Sequence, residues 1–468
     1  MYEERRIVIS AYDFIKGQSI SNENPTGGFS SSSMGVIAMA TEGELSSGVL
    51  SPIKAISNGD TAQGHLSCSL IDMLHNSTGV AVYYNSGYGY FYNYLNDTLT
   101  LLKTSSAGTG SDYYDTPATS DAVYYKGDYY FTTTQNIDTS DVSFTTLKED
   151  WWTATMGKSA LTGNPHMMCV YKDWLVIADG YYLHTYDGST ATEQALDIPE
   201  DFTIRDIIEF KDMIYILAEN KVSMQVKLFT WDGYQDSFLE SYTIGYERDT
   251  YTFAIFRNTL YIWLGNTLGY FTGVYFEPIK YIGASVNKSQ RVVGKKGIYY
   301  LNKDKRVEVM YDFIFKKSPS FYTLTDWTFN NILKSASEGI VIGNDNPQLM
   351  NVIMSSDTSI RAEAKFYSNI IRFNGKVVIK RIIIETTKLV SGNKMTVEYI
   401  NAQGETVSVG SMDFSNDGGI SLKEFIIVGT RPTISFQLKL SWTGATTNNS
   451  VKQIIIYADN SERPITNA

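Results

Sequence analysis

The stretch that decides the fold is YKDWLVIADG, residues 171–180. An aromatic residue is followed by a short polar turn and then by a run of β-branched and aromatic residues. The same order recurs in YKGDYYFTTT from Tyr125, FKDMIYILAEN from Phe210 and FRNTLYIWLGN from Phe256. Tyr, Val and Ile favour half-buried pleated strands, and the polar pairs between them favour tight turns. Each stretch therefore predicts a β-hairpin.

The hairpins recur at a regular spacing along the chain. The first residues of the predicted turns are Asn85, Lys126, Lys172, Lys211, Arg257, Lys295 and Ser337, and they are separated by 41, 46, 39, 46, 38 and 42 residues. A four-stranded propeller blade is about 40–50 residues long. The spacing predicts a β-propeller of seven blades over residues 56–356, or of six if the unit at Ser337 is irregular. A β-solenoid or a string of sandwiches is the alternative.

A propeller also needs a strand that closes its ring. The segment HLSCSLIDML, residues 65–74, precedes the first turn and has the composition of a strand. We expect it to complete the last blade, because a blade left with an open edge would not bury its apolar faces.

Composition and charge agree with an all-β protein and narrow the functional classes. The chain has 468 residues, of which 43% are hydrophobic, 19% charged and 13% aromatic, which suits two or three folded domains rich in strands. The net charge is −11. Sequence-independent DNA binding draws its affinity from cationic contacts to phosphate, so the charge argues against it. A conduit along which DNA slides without binding would suit this charge.

The chain carries no pattern of a secretory or membrane protein. Its start, MYEERRIVISAYDF, lacks the apolar core of a signal peptide, and no apolar run reaches the length of a membrane-spanning helix. Two cysteines in the whole chain fit synthesis in a reducing cytoplasm. We expect a protein made in the cytoplasm, with no membrane-spanning segment.

The two ends of the chain differ from the middle. Residues 1–55 include GQSISNENPTGGFSSSSMG, which is polar and rich in Gly and Ser and predicts an extended N-terminal arm ordered against a neighbouring subunit. In residues 357–468 the hairpin spacing stops and apolar and polar residues alternate, as in TISFQLKLSWTG. About eight strands in this segment predict a C-terminal β-sandwich or jelly roll.

The C-terminal strands carry a resemblance to a known class of proteins. KRIIIETTKLVSGNKMTVEY, followed by FQLKLSWTGATTNNSVKQIIIY, resembles the terminal β-domain of virion proteins of tailed bacteriophages. In that class a propeller is flanked by a polar N-terminal arm, and the protein is a structural part of a tail nozzle, ring or hub. The resemblance implies a symmetric homo-oligomer whose partners are tail or portal-adaptor proteins, with DNA passing nearby without specific binding.

The chain offers no recognisable set of catalytic residues, no cofactor motif and no metal site that we can assign. His65-x-x-Cys68 and His166-x-x-Cys169 have the residue types of a zinc site, but positions i and i+3 of a strand face opposite sides. We interpret both cysteines as structural. No phosphate-binding loop or nucleophile elbow is present in the sequence.

Two neighbouring tryptophans are the candidate binding residues. Trp151 and Trp152 lie in DWWTATMG, a predicted connection between blades, where adjacent side chains cannot both face one strand core. Exposed tryptophans stack on sugars or anchor protein interfaces, so we predict a glycan or interface contact here. The tyrosine-rich run YYNSGYGYFYNYL, residues 83–95, is interpreted as alternating core and cross-strand positions.

The sequence thus predicts a non-enzymatic structural protein of a tailed-phage virion, located in its tail or neck, in a nozzle or portal-proximal ring. The alternative is a viral receptor- or glycan-binding adhesin. A glycoside hydrolase is a third option, because the 50 acidic residues include many carboxylates that could form a catalytic pair.

Overall fold

The structure is a computed structural model. It describes residues 5–10, 13–14, 16, 30, 33, 36–40, 48–52, 56–58, 68–71, 79–84, 88–93, 98–104, 121–132, 135–141, 147–148, 150–162, 166–249, 252–294, 297–311, 319–324, 331–334, 340–343, 350–353, 364–389, 391–429, 431–443 and 450–460. Only the backbone is described in the strands between residues 36 and 104 (Leu50 excepted), in those between 331 and 353, and at Ala122 and Leu147.

Strands make up nearly all of the regular structure. In the first half of the chain they are β1 (Arg5–Ser10), β2 (Val36–Ala40), β3 (Gly48–Pro52), β4 (Ile56–Asn58), β5 (Cys68–Ile71), β6 (Gly79–Tyr84), β7 (Tyr88–Asn93), β8 (Thr98–Thr104), β9 (Ala122–Tyr125), β10 (Asp128–Thr132), β11 (Ile137–Asp141), β12 (Leu147–Lys148), β13 (Met168–Tyr171), β14 (Trp174–Asp179), β15 (Tyr182–Tyr186), β16 (Ala191–Asp197), β17 (Thr203–Phe210), β18 (Met213–Glu219), β19 (Gln225–Trp231) and β20 (Glu240–Tyr246).

The second half contains β21 (Thr252–Phe256), β22 (Thr259–Leu264), β23 (Thr267–Phe271), β24 (Phe276–Tyr281), β25 (Arg291–Val293), β26 (Gly297–Leu301), β27 (Val307–Tyr311), β28 (Ser320–Thr323), β29 (Asn331–Lys334), β30 (Ile340–Gly343), β31 (Met350–Ile353), β32 (Lys365–Tyr367), β33 (Ile371–Thr386), β34 (Lys394–Asn401), β35 (Thr406–Asp413), β36 (Leu422–Ile426), β37 (Thr433–Thr443) and β38 (Val451–Asn460). Short helical turns lie at Trp151–Thr155, Lys288–Gln290 and Phe414–Asp417.

Strands β9 to β28 form five antiparallel sheets of four strands each, taken in chain order four at a time. The first strands of neighbouring sheets contact one another: β9 lies against β13, β13 against β17, β17 against β21 and β21 against β25. Sheets that meet along their first strands surround a common axis, which is the arrangement of a β-propeller. The predicted all-β fold and the propeller are confirmed.

The hairpin between the first two strands of each sheet explains the recurring sequence. Lys126, Lys172, Lys211 and Arg257 each occupy the first turn position with a positive φ of 47–52°, as a tight hairpin requires. Each cation lies 4.6–5.3 Å from the centre of the aromatic ring that precedes it. A cation–π contact of about 0.5–1 kcal/mol offsets part of the cost of placing a non-glycine residue in this conformation.

The hairpins also join one sheet to the next. The Tyr171 hydroxyl donates to the carbonyl of Asp212, in the corresponding hairpin of the following sheet, at 2.7 Å. Tyr125 donates in the same way to the carbonyl of Asp173. Gly233, in the last turn of the following sheet, lies so close to Tyr171 that an added Cβ would come within 2.8 Å of the ring. The repeated aromatic residue therefore locks neighbouring sheets together.

Two further four-stranded sheets have the orders β5-β6-β7-β8 and β29-β30-β31-β4. In the second of these, the strand that completes the sheet is β4, from the N-terminal part of the chain. The prediction that residues 65–74 close the last blade is wrong, since β5 lies within this segment and begins a sheet of its own. The tyrosine-rich run contributes the backbone of β6 and β7, and its side chains lie outside the described residues.

A ten-stranded sheet contains the C-terminal strands. Its main path is β2-β3-β38-β33-β37-β34-β35, with β1 on β38, β32 on β37 and β36 on β33. The inward side chains of β33 and β38 are fully buried isoleucines, among them Ile382, Ile384, Ile454 and Ile456. Burial of each such side chain contributes about 2 kcal/mol and fixes the register of the strands.

The N-terminal segment belongs to this sheet rather than to an extended arm. β1, β2 and β3 pair within it, and the side chain of Phe14 is fully buried with its ring 5.8 Å from that of Phe366. The Ser30 amide donates to the carbonyl of Tyr367. The prediction of an arm ordered only against a neighbour is wrong for these residues. RRIVIS has the β-branched residues of a strand, and the Gly/Ser-rich composition after it concealed that strand.

Contacts divide the chain into two compact units. One contains residues 57–305 and 328–353, and the other contains residues 1–56, 306–327 and 354–468. The first unit includes all residues of the axial network described below, and the second includes the ten-stranded sheet.

Candidate functional site: a charged network at the propeller axis

The beginnings of the innermost strands carry an unusual group of polar residues. Asp121 directly precedes β9, Thr252 opens β21 and Arg291 opens β25, while Asp206 lies near the start of β17. Lys288 belongs to the short helical turn before β25. Because parallel first strands of neighbouring sheets begin at the same end of the axis, these side chains converge there.

Asp206 is the centre of the network and is fully buried. Its Oδ2 accepts a hydrogen bond from the Thr252 hydroxyl at 2.7 Å, and its Oδ1 accepts one from the Ile207 amide at 2.9 Å. The Arg291 guanidinium lies 3.5 Å from Oδ2 and donates to the Thr252 hydroxyl at 3.1–3.2 Å. A buried carboxylate is tolerated here because several donors surround it.

Lys288 bridges sheets that are not neighbours. Its Nζ lies 2.5 Å from Asp121 Oδ2 and 3.6 Å from Asp206 Oδ1, and it donates to the carbonyl of Met168 at 3.4 Å. Lys288 precedes the fifth of the five sheets, whereas Asp121 belongs to the first, Met168 to the second and Asp206 to the third. One ammonium group therefore joins strands on different sides of the axis.

Burial and the neighbouring carboxylates shift the pKa values of Lys288 and Arg291. Burial acts to lower the pKa of Lys288, but the carboxylates of Asp121 and Asp206 outweigh burial and raise the pKa above its ordinary value. Burial lowers the pKa of Arg291, and the two carboxylates oppose that effect. Two cations thus face two carboxylates, and the network is electrically balanced.

This geometry braces the axis and fills its end. The Lys288 side chain is 25% exposed and the Asp206 side chain is 0% exposed. The separation of 2.5 Å between Lys288 and Asp121 leaves no opening between them.

A second buried polar cluster lies in the sheet β13–β16. The Asp179 carboxylate is 3.6 Å from His166 Nδ1 and 3.5 Å from His184 Nε2, and it accepts a hydrogen bond from the Thr162 amide at 2.8 Å. His184 Nδ1 accepts from the Gln194 amide at 2.9 Å, so its proton resides on Nε2, which faces Asp179. Both imidazoles are buried, and the cluster ties strand ends together inside the sheet.

Trp151 and Trp152 are not exposed, and that prediction is wrong. Their side chains are 4% and 0% exposed. They lie in a π-helical turn, in which adjacent residues can both pack inward against different neighbours. Trp151 contacts the ring of Tyr130 in one sheet, Trp152 contacts that of His184 in the next, and Trp152 Nε1 donates to the carbonyl of Ser159. Neither indole has a free face for a sugar or a partner protein.

The structure places Cys169 and His166 in the core. Cys169 belongs to an apolar cluster with Met167 and Val176, and burial raises the pKa of its thiol well above the usual range. His65 and the side chain of Cys68 lie outside the described residues. In the described part of the chain, no group of three or more His, Cys, Asp or Glu side chains could hold a metal ion.

One exposed aromatic group is not accounted for by packing. Tyr234, in the turn between β19 and β20, is 66% exposed. Its ring lies 5.4 Å from that of Trp174, and the ammonium of Lys172 is 4.5 Å from its centre. Short-range sequence patterns did not reveal this group, because Trp174 and Tyr234 come from different sheets.

Comparisons with known proteins give a likeness of structure only. No family model matches the chain, and no curated protein matches it. The extracellular domain of the one-component system BT4673 from B. thetaiotaomicron is similar over 75% of this chain, with a TM-score of 0.47 and 12% identity. This chain spans 44% of that domain, so it covers less than half of its length.

BamB from Moraxella catarrhalis is similar over 69% of this chain and 99% of its own, with a TM-score of 0.40 and 9% identity. Likenesses at this level carry no argument, so the assignment of the propeller rests on the strand order alone. Among the described residues, no helix has the length and apolar character needed to cross a bilayer.

Proposed function

We propose that the protein is a non-enzymatic structural component of a tailed-phage virion, located in its tail, nozzle or a portal-proximal ring, where it assembles as a symmetric oligomer. The observation that carries the proposal is the closed, cross-braced axis. Lys288 and Arg291 pair with Asp121 and Asp206 at the end of the axis, and the sheets are further joined by the hairpin contacts of Tyr125 and Tyr171. A body braced in this way keeps its shape under force, as a virion ring must.

We further propose that all seven four-stranded sheets form one propeller and that the ten-stranded sheet folds into a β-sandwich. Contacts of β25 with β29 and of β29 with β5 support an extension of the row of neighbouring first strands from five to seven. β33 pairs with β37 through Ile371 and Arg372 and with β38 and β36 further along, which suits a strand shared between two layers.

Lys288 meets Asp121 and Asp206 across the end of the propeller axis, so DNA would need another route. We propose that DNA passes through the lumen of an oligomer and not through a single propeller. The net charge of −11 fits this route, because an acidic lining does not bind phosphate and lets the duplex slide.

Purified particles test the proposal directly. Virions from a culture whose DNA encodes the chain are separated on a density gradient, and their proteins are identified by mass spectrometry. We expect the chain at a constant ratio to a capsid protein across the particle peak. Its absence from the peak, with the protein present in the cell lysate, would contradict the virion role.

A glycan-binding function is the second candidate, and the exposed group of Trp174, Tyr234 and Lys172 favours it. Aromatic faces next to a hydrogen-bond donor stack on sugar rings. A glycan array checks this with the wild type, Tyr234→Ala and the matched control Tyr281→Ala, which removes another tyrosine that is 63% exposed. Binding that Tyr234→Ala abolishes and Tyr281→Ala preserves would establish an adhesin.

A further inference from the structure

Three strands of the ten-stranded sheet are apolar on both faces. Each of these strands contains three branched aliphatic residues in succession: IVI at 7–9 in β1, III at 382–384 in β33 and III at 454–456 in β38. The outer two of each triplet point to the core. An antiparallel sheet with one face in water normally alternates apolar and polar residues, so consecutive triplets are typical of strands covered on both sides.

The register brings the middle residues of the triplets together on the outer face. Val8 pairs with Ile455, Ile455 with Ile383 and Ile383 with Glu424. We call these four residues the outer row. Val8 is 39% exposed, although it is apolar, and Ile383 and Ile455 are half-buried between their neighbours. Glu424, at the end of the row, is ion-paired with Arg381 at 3.1 Å.

The positions on either side of the outer row differ in charge. The basic flank, two residues along each strand in one direction, consists of Arg6, Tyr457, Arg381 and Ile426. The acidic flank, two residues in the other direction, consists of Ser10, Gln453, Glu385 and Leu422. Ile426 is 75% exposed and Leu422 is 56% exposed, so apolar surface continues to the edge strand β36.

We propose that this outer face is the surface on which a second copy of the chain docks, through a twofold axis that runs along the outer row. Rotation about such an axis reverses the direction of each strand and keeps the order of the strands across the sheet. It therefore places the outer row of one copy over that of the other, and Arg381 of each copy over Glu385 of its mate. In this arrangement Val8, Ile455 and Ile383 each meet their own copy, Arg381 meets Glu385 as a complementary pair, and Glu424, which is ion-paired within its own chain, meets its own copy.

The area of the face sets the strength of the contact. Four strands about 4.8 Å apart, with three outward residues spaced about 6.6 Å along each, cover about 400 Å² per copy. A standard interface buries about 800 Å² per partner. The contact is therefore small, and we expect it to be weak and to depend on concentration. This inference rests on the oligomeric part of the proposed function: the twofold contact joins copies in pairs, and a ring needs a second, heterologous contact beside it.

Sedimentation equilibrium of the full chain over a hundredfold range of concentration tests the contact. Val8→Lys places a charge at one end of the outer row and Ile455→Lys places one in its interior, and we expect each to weaken association at least about tenfold. Tyr281→Lys is the control, because it changes an exposed residue of the other unit. Val8 lies on an edge strand and tolerates the change even if Ile455→Lys fails to fold.

A charge exchange tests the twofold axis itself. Glu385→Arg and Arg381→Glu each oppose like charges across the axis and weaken association, whereas the double variant restores it. If the wild type associates and the outer-row variants associate equally well, or if the double variant does not recover, the docking surface is overturned while oligomerisation stands. A monomer at every concentration overturns both, and presence in purified particles then decides the virion role independently.

Discussion

Gly233→Ala tests whether the hairpins lock neighbouring sheets. Gly233 has a φ of +84°, and a Cβ at this position would lie 2.8 Å from Cε1 and 3.2 Å from Cδ1 of Tyr171. Tyr171 cannot retreat freely, because its ring is fully buried and its hydroxyl donates to the carbonyl of Asp212. The added methyl group therefore displaces either the ring or the turn.

The expected loss of stability has two parts. A left-handed conformation costs a non-glycine residue about 1–2 kcal/mol. Overpacking of a filled site costs about 1–3 kcal/mol more. Gly273 provides a matched control, since it occupies the corresponding turn of the next sheet at a φ of +103° with no atom within 4 Å of its added Cβ. Gly273→Ala should thus lose only the first part, about 1–2 kcal/mol.

Urea unfolding followed by tryptophan fluorescence measures both variants, and Trp174 reports on the turn because its ring lies against Tyr234. The free energy of unfolding should fall by about 1–3 kcal/mol more for Gly233→Ala than for Gly273→Ala. Tyr171→Leu, which removes Cε1, should reduce that difference, and the contact of the added Cβ with Cζ3 of Trp174 at 3.3 Å accounts for what remains. Equal losses for the two glycine variants, or a difference that Tyr171→Leu does not reduce, would refute the locking of the sheets by Tyr171.

Three further predictions concern Lys288 of the axial network and the buried side chains of Cys169 and Trp152. Lys288→Ala leaves the axial carboxylates without their bridging cation and should lower the free energy of unfolding by about 3–5 kcal/mol, whereas Lys380→Ala, at an exposed pair, should cost less than about 1 kcal/mol in the same urea titration. In a Cys68→Ser background, Cys169 should react with a thiol reagent only after unfolding, because burial raises its pKa; rapid labelling of the folded protein would contradict this. Trp152→Ala should lower thermal stability by about 3–5 kcal/mol, measured by calorimetry, and an unchanged melting temperature would argue against its burial.

The parts of the fold that were predictable rest on local chemistry. Lys126, Lys172, Lys211 and Arg257 mark hairpins because turn preference and strand preference act over a few residues, and the repeat of these hairpins predicted the propeller. The burial of Trp151 and Trp152 was missed, because a period of two was assumed for a segment that forms a π-helical turn.

The axial network could not be predicted from any short pattern. Asp121 and Lys288 are 167 positions apart, and neither belongs to a motif. Their meeting depends on the order of the sheets around the axis, which is a property of the whole propeller. The same holds for the outer row: IVI lies in the segment predicted as an arm, both III triplets lie in the predicted C-terminal domain, and their common face depends on register.

The short strand β4 has a consequence for the order in which the chain becomes structured. Ile56–Asn58 leaves the ribosome early, yet its neighbour in the sheet, Met350–Ile353, is made only after the intervening sheets. Long-range pairings of this kind form slowly, because the chain loses the entropy of loop closure before the pairing contacts form and stabilise it. β4 can therefore pair with Met350–Ile353 only after the sheets between them in the chain have been synthesised, so this sheet is among the last to be completed.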